Sequence, residues 1–209
     1  MDNNTFHHAL KIREDLCIGC SHCMNVCPTE AIRVKNGKSM LIAEKCIDCG
    51  ECFRVCPVSA IIIDHDDFNR IFDYKYRVAL IPSVFAGQFP DDISEKQIHS
   101  VMMELGFTHI YEVENGVEIL VDAINQYAEE NPVQRALISS FCPAVIRLIQ
   151  VKFPSLVDNI IRVKPPLDVS AGFIIREFEN AGIPVEEVGI FYVTPCAAKI
   201  AAIKDPVGE

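Results

Sequence analysis

No apolar stretch in the 209 residues approaches the roughly 18 that a membrane-spanning helix needs; the longest are short strand candidates such as VALI and AIII. The N-terminus has no basic region followed by an apolar core, the mark of a secretory leader, so the cytoplasm is the expected compartment. Basic residues are in deficit, 19 against 29 acidic, for a formal charge of -10. The deficit is uneven: residues 1–77 carry 10 basic and 11 acidic side chains, residues 78–209 carry 9 and 18. Such a balance argues against nucleic acid and against anionic membrane surfaces as partners. Cysteine is scarce over most of the chain. Outside residues 17–56 there are only Cys142 and Cys196, and none follows Cys196. That scarcity, with the missing leader, disfavours a secreted disulfide scaffold.

What is present is concentrated in residues 17–56. CIGCSHCMNVCP (Cys17, Cys20, Cys23, Cys27, Pro28) is followed 29 residues later by CIDCGECFRVCP (Cys46, Cys49, Cys52, Cys56, Pro57). The spacing C-x2-C-x2-C-x3-C-P, occurring twice, is the bacterial ferredoxin run, whose fourth cysteine ligates the other cluster. Cys17, Cys20, Cys23 and Cys56 are therefore expected to hold one [4Fe-4S] cube, and Cys46, Cys49, Cys52 and Cys27 the second. Small residues such as Gly19, Ser21 and Gly50 leave room and free N–H groups that can point at the sulfurs. Zinc also accepts four thiolates, but three cysteines at i, i+3 and i+6 followed by Cys-Pro make a poor zinc knuckle. A redox protein partner with a basic patch suits the acidic surface.

The duplication extends over residues 14–63. Each half ends in an Ala-Ile strand (Ala31–Val34, Ala60–Ile63), segments around Ile12 and Met40–Ala43 can pair with them, and a short helical turn follows each third cysteine. His7 and His8 read as a solvent-exposed lead-in, though a histidine pair could ligate a metal. Asp64–Arg70 reads as a linker. From Val78 short apolar runs alternate with amphipathic stretches. Strands are expected at 78–81, 108–113, 135–140 and 188–193. Helices are expected through Ile98–Leu105, Val117–Tyr127, Val145–Phe153 and Ala171–Phe178, with Gly106 and Gly182 as stops. The prolines of RVKPP (162–166) break the chain. This alternation implies an α/β domain with a mostly parallel sheet. The expected division is thus a two-[4Fe-4S] ferredoxin-like α+β domain over 1–70 and an α/β domain over 71–209. Cys142 and Cys196 each follow an apolar strand, sit beside a proline and open a helix. They read either as ordinary buried cysteines or as a shared metal or thiolate site.

At these residues the sequence resembles the iron-only ([FeFe]) hydrogenase family. The likeness begins at the double cysteine run and continues through LGFTHIYEVENGVEI (105–119). It covers SSFCPAVIRLIQVKFPSLVDNI (139–160), similar to the motif TSCCPxW and its following helix, and TPCAAK (194–199), similar to MPCxxKK. The resemblance implies that ferredoxin-like clusters precede a partial hydrogenase H domain. It implies that Cys142 and Cys196 are the first two ligands of the H-cluster cube, and that Lys199 contacts a cyanide ligand of the diiron subsite; otherwise Lys199 is a solvated lysine. Departures accompany it. Phe141 stands where catalytic members have a proton-relaying cysteine, and a phenyl ring has no titratable group. Thr194, Ile200, Ala202 and Val145 replace the family's methionine, second lysine, glutamate and tryptophan. The third motif, with two further cysteines, has no counterpart here.

The expected function is therefore iron–sulfur electron transfer or redox or hydrogen sensing, as in sensory-type relatives, with a redox partner protein or a downstream signalling domain. One alternative is a catalytic ferredoxin hydrogenase whose third motif lies beyond this chain. Another is a ferredoxin fused to a partner-binding α/β domain. A third cluster or an H-cluster would need ligands from elsewhere.

Overall fold

The 29-residue repeat of the sequence is also a repeat of backbone conformation. Left-handed positions recur at that offset, Gly19 with Asp48 (φ 70° and 51°), Ser21 with Gly50 (62° and 82°) and Glu30 with Ser59 (54° and 51°). The computed structural model describes residues 6–130 and 136–206. The chain divides into two units. One comprises Met1–His65, Arg135–Arg162 and Cys196–Glu209; the other comprises Asp66–Gln134 and Val163–Pro195.

In the first unit β1 (Leu10–Ile12) is followed by the short helix α1 (His22–Val26), β2 (Ile32–Lys35), β3 (Lys38–Leu41), α2 (Glu51–Arg54) and β4 (Ile61–Ile63). β1 pairs antiparallel with β4, Leu10 opposite Ile63, and β2 pairs antiparallel with β3, Ile32 opposite Leu41. The β2–β3 turn is Asn36-Gly37, both with positive φ (53° and 74°), the dipeptide that a tight two-residue hairpin favours. Each helix starts after a left-handed residue, Ser21 or Gly50, and carries the third cysteine of its run, Cys23 or Cys52, inward.

The second unit is built on β5 (Tyr76–Ile81), followed by α3 (Ser83–Ala86), α4 (Glu95–Glu104), β6 (His109–Glu112) and α5 (Val117–Glu130). The chain then supplies α6 (Pro143–Lys152) to the first unit, α7 (Pro166–Asn180) and β7 (Val188–Tyr192) to the second, and α8 (Ala197–Lys204) to the first. The sheet is parallel, in the order β6-β5-β7. Alternate residues of β5 enter two apolar layers. Val78 and Leu80 pack with Val113, Val188 and, from α7, Ile174 and Phe178. Ala79 and Ile81 pack with Ile71, Phe107 and, from α4, Met102. A central strand covered on both faces has to read as one continuous apolar run, as VALI does. Helix α4 begins with a capping box between Ser94 and Gln97. Thus a ferredoxin-like pair of two-stranded antiparallel sheets precedes an α/β unit with a parallel sheet.

Three expectations need correction. The segment 135–140 forms no sheet strand among its described residues. Ile138 makes a single parallel bridge to Ile160, and the Asn159 side-chain amide donates to the Ala136 carbonyl at 2.8 Å. Its strand-like composition is satisfied by the chain just after α6, so Cys142 does not follow a sheet strand. The linker reading of 64–70 fails at its end, because Phe68–Asp73 is a 3-10 helix that buries Ile71. The exposed lead-in is wrong for His8, which is 7 % exposed. β1 starts two residues later and its pairing with β4 draws the preceding chain inward.

Candidate metal centre

Cys17, Cys20, Cys23 and Cys56 line one cavity. Three come from the first loop and α1; the fourth arrives from the second repeat, after α2. Ile12, Ile18, Val58 and Ile61 complete the wall, so the four sulfurs lie in a mainly apolar setting. Backbone donors reach the sulfurs in both repeats. Ala31 N–H donates to Cys27 Sγ at 3.1 Å, and Ala60 N–H to Cys56 Sγ at 3.2 Å, at equivalent positions. Asp48 N–H donates to Cys46 Sγ at 3.4 Å and Ser39 N–H to Cys17 Sγ at 3.4 Å. The Ser39 hydroxyl lies 3.3 Å from Cys23 Sγ, and that of Thr29 3.7 Å from Cys27 Sγ. Donors aimed at sulfur are the arrangement that stabilises charged thiolate ligands.

The N–H groups of Ser39 and then Gly19 hold the Cys17 thiol below its ordinary range. Cys46 is pushed up to about 12, first by burial, then by the charge of Asp48, with smaller contributions from Cys52 and Cys27. Cys52 is likewise pushed up to about 12, by burial and then by Cys49, and Cys49 is raised by burial, with Cys27 contributing. Cys27 thus lies near enough to Cys46, Cys49 and Cys52 to raise each of them, and Cys23 adds to the shift of Cys52. A bound cation reverses that, because a coordinating thiol is deprotonated outright. All ten cysteines are outside disulfides. The donor set, four thiols around one cavity with Cys27, Cys46, Cys49 and Cys52 nearby and none in a disulfide, suits iron–sulfur chemistry.

Asp48, which sequence reasoning missed, lies beside Cys46 with His8, which the sequence offered only as half of a histidine pair. His8 Nδ1 and Asp48 Oδ2 are 2.6 Å apart, and Leu10 N–H donates to Asp48 Oδ1 at 3.2 Å. The ligand atoms of His8, Cys46 and Asp48 all lie within 4.8 Å of one another. A carboxylate inside CIDC, in a place that must exclude water, was a signal for Asp48; His8 was marked only by its neighbour His7, and nothing local tied it to Asp48. Ser39 and Thr29 also escaped notice, both being ordinary hydroxyl residues in sequence.

The remaining candidates are at two helix starts. Cys142 precedes α6 with φ -106° and ψ 105°, and Cys196 precedes α8 with φ -110° and ψ 109°. Neither sulfur caps its helix through a side-chain hydrogen bond. Lys199 Nζ donates to the Phe141 carbonyl at 3.3 Å, which joins the residue before Cys142 to the first turn of α8. Among the described residues no helix is long and apolar enough to cross a membrane.

Comparison with known proteins divides the chain along its sequence. Residues 9–58 match the family model of a 4Fe-4S dicluster domain, and residues 75–207 match that of the iron only hydrogenase large subunit, C-terminal domain. No curated protein matches. Among solved structures, one described as showing that [FeFe]-hydrogenase oxygen inactivation is initiated by modification and degradation of the H-cluster 2Fe subcluster is 19% identical. It aligns with 60% of this chain and 35% of its own, at a TM-score of 0.46. Another, on stepwise [FeFe]-hydrogenase H-cluster assembly in HydA(deltaEFG), is also 19% identical, aligning with 66% of this chain and 39% of its own at a TM-score of 0.47. The chain thus spans well under half the length of either. With an iron–sulfur dicluster region in front and more than half of its residues in the second match, the chain belongs to the family of the iron-only hydrogenase large subunit, C-terminal domain.

Proposed function

We propose that the chain carries two [4Fe-4S] clusters, one on Cys17, Cys20, Cys23 and Cys56 and one on Cys46, Cys49, Cys52 and Cys27. We assign it to electron transfer or to redox or hydrogen sensing in the cytoplasm, with a redox partner or a downstream signalling domain. Residues 1–70 are the ferredoxin module of this reading and 71–209 the hydrogenase-like module. The observation that carries it is the convergence of Cys56 with Cys17, Cys20 and Cys23 around one cavity. Each cluster, when bound, supplies a reversible one-electron couple. The protein's own part is to supply thiolates, to aim N–H donors at them and to exclude water with Ile12, Ile18, Val58 and Ile61.

Phe141 supports a non-catalytic role, since it offers no proton-transfer group beside Cys142. Reconstituted protein is expected to hold about eight irons per chain, two cubes of four, with one-electron signals on reduction. Hydrogen uptake with an artificial acceptor is expected to be negligible. About four irons or fewer, or tightly held zinc instead, would refute the two-cluster reading.

The second reading, a hydrogenase whose remaining ligands lie outside these 209 residues, is favoured by the Lys199–Phe141 contact, which brings the two hydrogenase-like motifs together. About twelve irons or more, or appreciable hydrogen turnover, would establish it over the first.

A further inference from the structure

The two cysteine loops repeat their left-handed positions but differ in what stands at the first of them. Gly19 and its counterpart 29 residues later, Asp48, both have left-handed backbone. Glycine takes that conformation freely, and at Gly19 a Cβ would lie 2.5 Å from the Gly37 carbonyl oxygen, so no side chain fits. Asp48 has to be held in it. Aspartate tolerates left-handed geometry best when its carboxylate bonds to neighbouring backbone, but this carboxylate reaches far along the chain. Its Oδ1 accepts from Leu10 N–H at 3.2 Å and its Oδ2 lies 2.6 Å from His8 Nδ1. It is 1 % exposed, and a buried carboxylate left without such partners is costly. The N–H of the same residue donates to Cys46 Sγ at 3.4 Å.

We propose that Asp48, anchored by His8 and Leu10, is a positioning residue: it locks the second cysteine loop so that its own N–H stays on Cys46 Sγ, the task that glycine backbone performs unaided in the first loop. The inference rests on the reading that Cys46 ligates a cluster. An N–H donor on a ligand sulfur favours the more negative, reduced state, so losing it lowers the potential of that cluster. Deleting a nearby carboxylate charge acts in the opposite direction. Asparagine keeps both the acceptor oxygen for Leu10 N–H and the tolerance for left-handed backbone; alanine keeps neither.

The test is a redox titration of the reconstituted full chain followed by electron paramagnetic resonance, with iron content measured alongside. In Asp48→Ala one of the two cluster signals is expected to shift to lower potential, or to be lost with about half of the iron. The other is expected to stay at its wild-type value, and Asp48→Asn, which keeps the acceptor for Leu10 N–H but loses the charge, is expected to bring the first back to its wild-type value or above it. His8→Phe, which keeps the backbone of Asp48 but removes one anchor, is expected to give a smaller shift in the same direction. An upward shift in Asp48→Ala, equal effects in Ala and Asn, or no shift in any variant would overturn the positioning role while leaving the two-cluster reading intact. Wild-type protein with fewer than two cluster signals would overturn both.

Discussion

Gly19 and Gly50 both have left-handed backbone in the cysteine loops, yet they face different surroundings. A Cβ at Gly19 meets the backbone of Gly37, whereas at Gly50 nothing lies within 4 Å. Gly50→Ala should therefore cost only the backbone strain of a left-handed alanine, about 1–2 kcal/mol. Gly19→Ala adds a clash that only backbone movement can relieve, and it moves the N–H that helps to hold the Cys17 thiol below its ordinary range. The expected outcome is a larger loss of stability for Gly19→Ala and release of iron from one cluster, measured by denaturant midpoint and iron content. Equal midpoints would refute the steric argument. The need for small residues in these loops was legible in the sequence. That Gly37, 18 positions on, is the obstacle was not, because the obstacle comes from the β2–β3 turn.

At the scale of elements, periodicity located the helices well, because an amphipathic stripe is a local property. Ile98 and Met102 of α4, and Ile174 and Phe178 of α7, are the buried residues that their spacing picks out. Ile174, 1 % exposed, closes one layer against β5. Ile174→Ala is expected to cost about 2–5 kcal/mol, read as a lower midpoint in chemical denaturation. A change below about 1 kcal/mol would mean that the layer can collapse around the loss. Strand identity was less legible. VALI and RALISS look alike in sequence, yet Tyr76–Ile81 has a strand on each side while the described part of 135–140 has one bridge. A strand exists only where a partner meets its backbone groups, and the partner is chosen by tertiary placement.

At the scale of the whole molecule, the two units bury different kinds of core. The first encloses Cys23, Cys46 and Cys52 among alanines and a few larger aliphatic residues, including Ala197 and Ala201 of α8, so on the proposed reading part of its interior is ligand. The second fills both faces of a parallel sheet with aliphatic and aromatic side chains. Folding energy in small metal domains comes largely from ligation. Removing iron with a chelator is therefore expected to expose the amides of β1–β4 to hydrogen exchange while those of β5–β7 remain protected. Loss of protection in both units together, or in neither, would refute this. The sequence by itself determined the cysteine spacing, the 29-residue repeat, the α/β character of the later chain and most helix positions, since each depends on residues close together along the chain. Only the tertiary structure decided that Arg135–Arg162 and Cys196–Glu209 join the cysteine-rich unit, that Ser39 serves two sulfurs, and that Asp48 finds His8. Those pairings join residues many positions apart, and a buried polar group's partner is set by what the fold carries to it, which no local pattern encodes.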